Sequence, residues 1–248
     1  MPRQARKKSE TGIYHIMLRG INRQQIFEDA EDYEKFLQVL KECKAISEFE
    51  LFAYCLMGNH VHILIKPHKE PLELIFKRIG SRYVYWYNWK YHRTGHLFQD
   101  RYKSEPIDDE NYFFAVLRYI HQNPIKAKFC KKLSDYPFSS YMAYKETDYT
   151  NFVDTEFAFK ISDKSSLLDF FNQYSDEQCL DITEMRRLND NEARAIIKEV
   201  SGCKDITQFQ LLPIDKRNRV IHKLKKSGLS IRQISRLTGV SFNIVRKF

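Results

Sequence analysis

The chain has 248 residues, with 41 Lys or Arg against 32 Asp or Glu, a formal net charge of +9 and a pI of about 9.2. Its mean hydropathy is −0.55, no apolar run approaches the roughly 20 residues that span a bilayer, and no apolar core follows the basic start Met1 to Lys8. These features argue against a membrane or secreted protein and lead to the expectation of a cytoplasmic one with a polyanionic partner.

The charge is unevenly spread. From Lys216 to Phe248 there are ten Lys or Arg and no Asp or Glu, whereas Glu146 to Glu192 holds twelve acidic residues against four basic ones. Two basic regions flanking an acidic one favour nucleic acid as the partner. The five cysteines, Cys43, Cys55, Cys130, Cys179 and Cys203, form no close pair and no zinc spacing, so they read as reduced thiols.

In chain order, residues 13–19 alternate as a first strand, and 30–47 repeat apolar residues at helical spacing behind a capping Asp29. Residues 49–56 and 61–65 read as two strands joined through Met57-Gly58-Asn59, hence an antiparallel hairpin. A helix follows from Pro71 to about Tyr91, then a loop from Gly95 that feeds a fourth strand, then a helix from Glu110 to His121 capped by Asp109 and ended by Pro124. The order β-α-β-β-α-β-α begins with the split βαβ pattern. The expected fold is therefore α+β, a ferredoxin-like antiparallel sheet with helices on one face. Residues 136–144 read as an aromatic-rich lid or extension, and 146–188 as an acidic connector with some helix. From 189 to 248 the chain is helical again, and Ser230 to Lys247 follows a helix-turn-helix pattern with Gly239 in the turn and a second helix capped by Ser241. The expected domains are thus 1–145, a connector 146–188, and an all-α helix-turn-helix domain 189–248.

His60 and His62 point to the same side of their strand because side chains alternate. Two imidazoles on a rigid strand supply half of a metal site. Tyr119 and Asn123 are four residues apart and share a helix face if the helix extends that far. The Asn123 carboxamide oxygen can then complete the site, and such nitrogen and oxygen ligands around open positions suit Mg²⁺ or Mn²⁺. His121 lies on another face. A tyrosine hydroxyl beside a divalent metal suggests covalent catalysis on a phosphodiester.

Four stretches carry a resemblance: Tyr54-Cys55-Leu56-Met57-Gly58-Asn59-His60-Val61-His62, Gly95 to Ser104, Arg118-Tyr119-Ile120-His121-Gln122-Asn123-Pro124, and Pro137-Phe138-Ser139-Ser140-Tyr141. In order and spacing, residues 10–145 resemble the REP-associated tyrosine transposases of the single-tyrosine HUH superfamily. The resemblance implies a nuclease domain acting on hairpin-bearing single-stranded DNA. It also implies that His60 and His62 hold the metal and that Tyr119 attacks phosphorus to give a 5′-phosphotyrosine. Asn123 stands where relatives carry a polar ligand, often Gln, and Gly58 stands where many have Pro. The helix-turn-helix resembles the DNA-binding tails of some members.

Arg3, Arg6, Lys7, Lys8, Arg19 and Arg23 near the first strand, Arg101 and Lys103 near the fourth, and Arg118 beside the tyrosine are candidate single-strand contacts. Ser241, Asn243 and Arg246 would face a duplex major groove. Two other readings stay open: a replication-initiator or relaxase-like HUH nickase, and a domesticated DNA-binding regulator with an idle nuclease. The chain is expected to act as a monomer or homodimer.

Overall fold

Three strands bury apolar residues on both faces, and a fourth at the sheet edge is mostly polar. β1 (Ile13–Arg19), β2 (Glu50–Met57), β3 (His60–Lys66) and β4 (Lys103–Ile107) form one antiparallel sheet in the order β2-β3-β1-β4. The structure, a computed structural model, describes residues 6–146, 152–173, 179, 190–203, 205–229 and 231–247; Arg3 lies outside them.

α1 (Ala30–Ser47) begins at Asp29, whose carboxylate accepts from the Asp32 N–H while the Asp32 side chain bonds back to Asp29, and it ends at Glu48 with a φ of 53°. Helix α2 (Leu72–Lys90) follows β3. Both helices cover the same sheet face, where Phe36, Leu40, Ile75, Ile79 and Tyr83 pack against Ile16, Leu18, Val61, Ile63 and Ile65. This is the split βαβ arrangement expected from the element order.

The other face is covered too, which the expectation of helices on one face did not include. α3 (Glu110–Lys126) lays Phe113, Val116, Leu117 and Ile120 over Ile13, Phe52, Leu64 and Ile107. Strands that are apolar on both sides need a layer on each. α3 also runs past Pro124 rather than stopping before it, for the Ala127 N–H still donates to the Asn123 carbonyl at 2.9 Å. Tyr119 and Asn123 therefore do share one helical face.

Residues 136–140 do not form a lid. They lie along β2, with the Leu56 N–H donating to the Phe138 carbonyl and the Ser140 N–H to the Tyr54 carbonyl, and they lead into α4 (Tyr141–Lys145). The acidic stretch also differs from a connector. Asp154 bonds the Leu51 backbone on both sides, and α5 (Glu156–Ile161) and α6 (Lys164–Asn172) bury Ala158, Leu167 and Phe171 in the α3 core. The acidic average conceals these apolar anchors. The chain divides into two compact units at 181/182, not at 145/146.

The second unit holds α7 (Asp190–Ser201), α8 (Ile206–Gln210), α9 (Ile214–Lys226), α10 (Ile231–Thr238) and α11 (Phe242–Arg246) around Ile197, Phe209, Ile221, Leu224, Ile234, Leu237 and Val245. No described helix in either unit is long and apolar enough to cross a membrane.

Candidate active site

β3 aims His60 and His62 at the α3 face of the sheet, while Val61 and Ile63 between and after them enter the α1/α2 core. The hairpin turn that feeds β3 is held from outside. Ile26 and Phe27 donate their N–H groups to the Gly58 carbonyl, and Gly20 donates to the Asn59 carbonyl at 2.9 Å. A Cβ on Gly58 would lie 2.3 Å from Gln25 Oε1, the tip of a flexible side chain that can swing aside to admit a larger residue.

The His60 and His62 ring centroids are 5.0 Å apart, and that of Tyr119 is 5.7 Å from His62. The structure thus brings together the three residues expected at the centre. His60 is half-buried at the mouth of the site, and His62 beneath it has no exposed surface. Tyr119 is 5% exposed. Asn123 joins through the tyrosine helix: its Nδ2 donates to the Tyr119 carbonyl at 3.1 Å, which fixes the plane of the carboxamide.

Burial holds the His62 imidazole well below its usual pKa, with smaller contributions in the same direction from His60 and His15. The ring is neutral, the form that ligates metals. Its Nε2 is buried and has no hydrogen-bond partner among the described residues. A buried polar atom without a partner costs free energy unless something occupies it, so the donor set fits a divalent cation. Among the described residues no group of three or more His, Cys, Asp or Glu gathers around one point. Any cation here would rest on the two imidazoles, carboxamide oxygen, water and substrate.

Several residues at the site carried no functional reading in the sequence. His15 on β1 places Nε2 3.0 Å from His62 Nδ1, and its Nδ1 lies 3.6 Å from Glu105 Oε2. Asn59, read only as a turn residue, places Oδ1 2.6 Å from His60 Nδ1. Lys126 sets its ammonium 5.0 Å from the Tyr119 ring centroid. Strand parity could have flagged His15, but its neighbour across the sheet depends on the β1–β3 register.

The expected DNA contacts fall into separate places. Arg19 pairs directly across from His60, and the Arg23 carbonyl accepts from Asn59 Nδ2 at 3.4 Å. Arg6, Lys7, Lys8, Arg101 and Lys103 line one cleft of about 750 Å³. Tyr14 also lines this cleft and projects from the β1 face opposite His15, so a strand reaching from it to Tyr119 must pass over the edge strand β4. Arg118 is buried, with its guanidinium 4.0 Å from the Phe170 ring centroid; it offers little surface to DNA. In the second unit Ser241, Asn243 and Arg246 are exposed on or beside α11, while Val245 is buried.

No curated protein matches the chain. A solved REP-associated tyrosine transposase bound to a REP hairpin is similar in fold, with a TM-score of 0.51 and 18% identity over 62% of this chain and 93% of that one. A protein of Deinococcus radiodurans described as a candidate transposase aligns at 18% identity over 49% of this chain and 95% of its own, with a TM-score of 0.34. Residues 8–123 match the family model of IS200-like transposases. That segment contains His60, His62, Tyr119 and Asn123, and over it the chain is similar to the IS200-like transposases.

Proposed function

We propose that the chain is a transposase that cuts and rejoins hairpin-bearing single-stranded DNA through a covalent bond to Tyr119, with Mg²⁺ or Mn²⁺ held by His60, His62 and the Asn123 carboxamide oxygen. The observation that carries the proposal is the packing of the Tyr119 ring against His62, whose buried Nε2 has no partner among the described residues.

The bound cation supplies a positive charge that draws electrons from the scissile phosphate and offsets the charge developing there. The chain's own residues do the rest. His62 is held neutral by burial and so presents a lone pair. Asn123 is oriented by its bond to the Tyr119 carbonyl, which couples ligand and nucleophile on one rigid helix. The Tyr119 oxygen forms a bond to phosphorus as the bond from phosphorus to the 3′ oxygen breaks. The phenolic proton is lost and the 3′ oxygen gains one, leaving a 5′-phosphotyrosine and a free 3′-OH. Attack by a 3′-OH reverses the step and rejoins the strand.

DNA would be gripped by the basic cleft at Arg6, Lys7, Lys8, Arg101 and Lys103, and by Arg19 beside the histidines. The likeness to the REP-hairpin complex supports a hairpin as the recognised element. A helix-turn-helix in the second unit would contact duplex DNA through Ser241, Asn243 and Arg246. Their exposure over the buried Val245 supports this assignment.

The test uses wild type and Tyr119→Phe with end-labelled single-stranded hairpin libraries in Mg²⁺ or Mn²⁺. Wild type should give cleavage and a denaturation-resistant adduct at the new 5′ end, with a free 3′-OH on the other fragment, and the variant neither. Binding without cleavage of any library member would overturn the enzyme reading in favour of a DNA-binding regulator.

A further inference from the structure

We propose that Glu105, acting through His15, is a positioning residue that fixes the tautomer of His62, and that Asn59 does the same for His60, so that both rings offer Nε2 to the cation. This rests on the metal reading above and extends it to residues that touch neither metal nor DNA.

A neutral imidazole carries one proton, and the nitrogen that lacks it is the one that ligates. His62 Nδ1 and His15 Nε2 are 3.0 Å apart and share one proton between them. With both rings neutral, two arrangements satisfy that bond. In the first, His62 Nδ1–H donates, His62 Nε2 keeps its lone pair, and the His15 proton sits on Nδ1 facing the Glu105 carboxylate 3.6 Å away. In the second, His15 Nε2–H donates, His62 Nε2 is protonated and useless to a metal, and the bare His15 Nδ1 faces a carboxylate. The second sets two acceptors against each other. The carboxylate therefore breaks the tie, and every proton in the chain points towards Glu105.

His60 reaches the same state by a shorter route. The Asn59 amide is oriented by Nδ2, which donates to the Arg23 carbonyl at 3.4 Å, so Oδ1 is the atom that faces His60 Nδ1 at 2.6 Å. An amide oxygen only accepts. His60 must donate from Nδ1 and keeps Nε2 free of hydrogen. Outer partners of this kind orient ligating histidines and raise their basicity, and losing one typically lowers metal affinity about 10–100-fold.

Glu105 is the residue to change, because its side chain is 29% exposed on the edge strand; it also accepts from the Tyr112 hydroxyl, a bond that Glu105→Gln retains and Glu105→Leu does not. Two readings separate this inference from the metal reading. The first is the histidine tautomer in the metal-free protein, from nitrogen-15 NMR of the imidazoles. The second is Mn²⁺ affinity by calorimetry in wild type, Glu105→Leu and Glu105→Gln, with His15→Gln and Asn59→Asp as variants that retain an acceptor. In wild type both His60 and His62 should carry hydrogen on Nδ1 alone. Glu105→Leu should give a mixed His62 tautomer and bind Mn²⁺ about tenfold more weakly, and Glu105→Gln should recover most of the loss. A wild-type His62 protonated on Nε2 would overturn the inference, and so would a Glu105→Leu affinity within twofold of wild type. If wild type binds no Mn²⁺, the metal reading fails and the metal-free tautomers still decide the relay. If the His15 and Asn59 variants do not fold, the Glu105 pair decides it.

Discussion

His121 Nε2 lies 2.8 Å from Ser140 Oγ, and the same hydroxyl accepts from the Tyr54 N–H at 2.9 Å and reaches the Tyr54 carbonyl at 3.2 Å. One serine thus ties the tyrosine helix α3 to β2 through the segment that runs beside it. Ser140→Ala would strip the hydroxyl from two buried polar groups at once, His121 Nε2 and the Tyr54 N–H, while the Tyr54 carbonyl keeps the Ser140 N–H. Losing a buried partner costs about 1–3 kcal/mol, and urea unfolding should show a loss in that range. A loss below about 0.5 kcal/mol would mean that the hydroxyl is replaceable by neighbouring groups.

Burial alone pushes the His121 pKa down to about 3 from an ordinary value of 6.5. Between those values the unfolded chain binds a proton that the folded chain refuses, so folding stability rises with pH there and is lost as pH falls below 6.5. Each pH unit in that window is worth at most about 1.4 kcal/mol. Going from pH 7.5 to 4.5 should therefore cost wild type about 3 kcal/mol more than it costs His121→Gln, which does not titrate. Denaturant unfolding at the two pH values measures the difference, and equal losses in the two proteins would show that His121 is protonated in the folded state.

The strand bearing His60 and His62, the caps at Asp29 and Asp109 and the split βαβ order were all legible because each depends on local periodicity or on one side chain next to a helix start. The His15–His62 contact was not, since it exists only once β1 is paired with β3 in one register. Pro124 misled the reading of α3, because its local cost to a helix is real but packing of Phe113, Val116, Leu117 and Ile120 on the sheet outweighs it. In the acidic stretch the charges are local and visible, whereas the burial of Leu167 and Phe171 depends on a core more than forty residues earlier in the chain.

Lys126 places a positive charge 5.0 Å from the Tyr119 ring centroid, two helical turns beyond the tyrosine on the same side. A cation there favours both a developing phenolate and the approach of a phosphate. Lys126→Met should slow single-turnover cleavage about tenfold, equivalent to about 1.4 kcal/mol, while Mn²⁺ affinity stays unchanged. Lys126→Arg should recover most of the rate. Unchanged cleavage in Lys126→Met would leave the ammonium as a solvated surface charge.

Gly239 connects α10 to α11 with a φ of +70°, and its carbonyl accepts from Gln210 Nε2 at 3.2 Å. Two costs fall on any side chain there. The left-handed backbone disfavours an L-residue by about 1–2 kcal/mol, and a Cβ would sit 2.2 Å from Gln210 Nε2 and 3.1 Å from Ile206 Cγ2. The first cost is intrinsic to the turn, and the second is relieved only if Gln210 swings away and gives up its hydrogen bond. Gly239→Ala should therefore lower the thermal midpoint of the second unit, and Gly239→Ala with Gln210→Ala should recover only the steric part. If the double variant regains full stability, backbone conformation contributes little and the glycine is required for space alone. Because the first unit carries the tyrosine and both histidines, neither variant should alter cleavage of a single-stranded hairpin, whereas both should weaken duplex binding if α11 reads DNA.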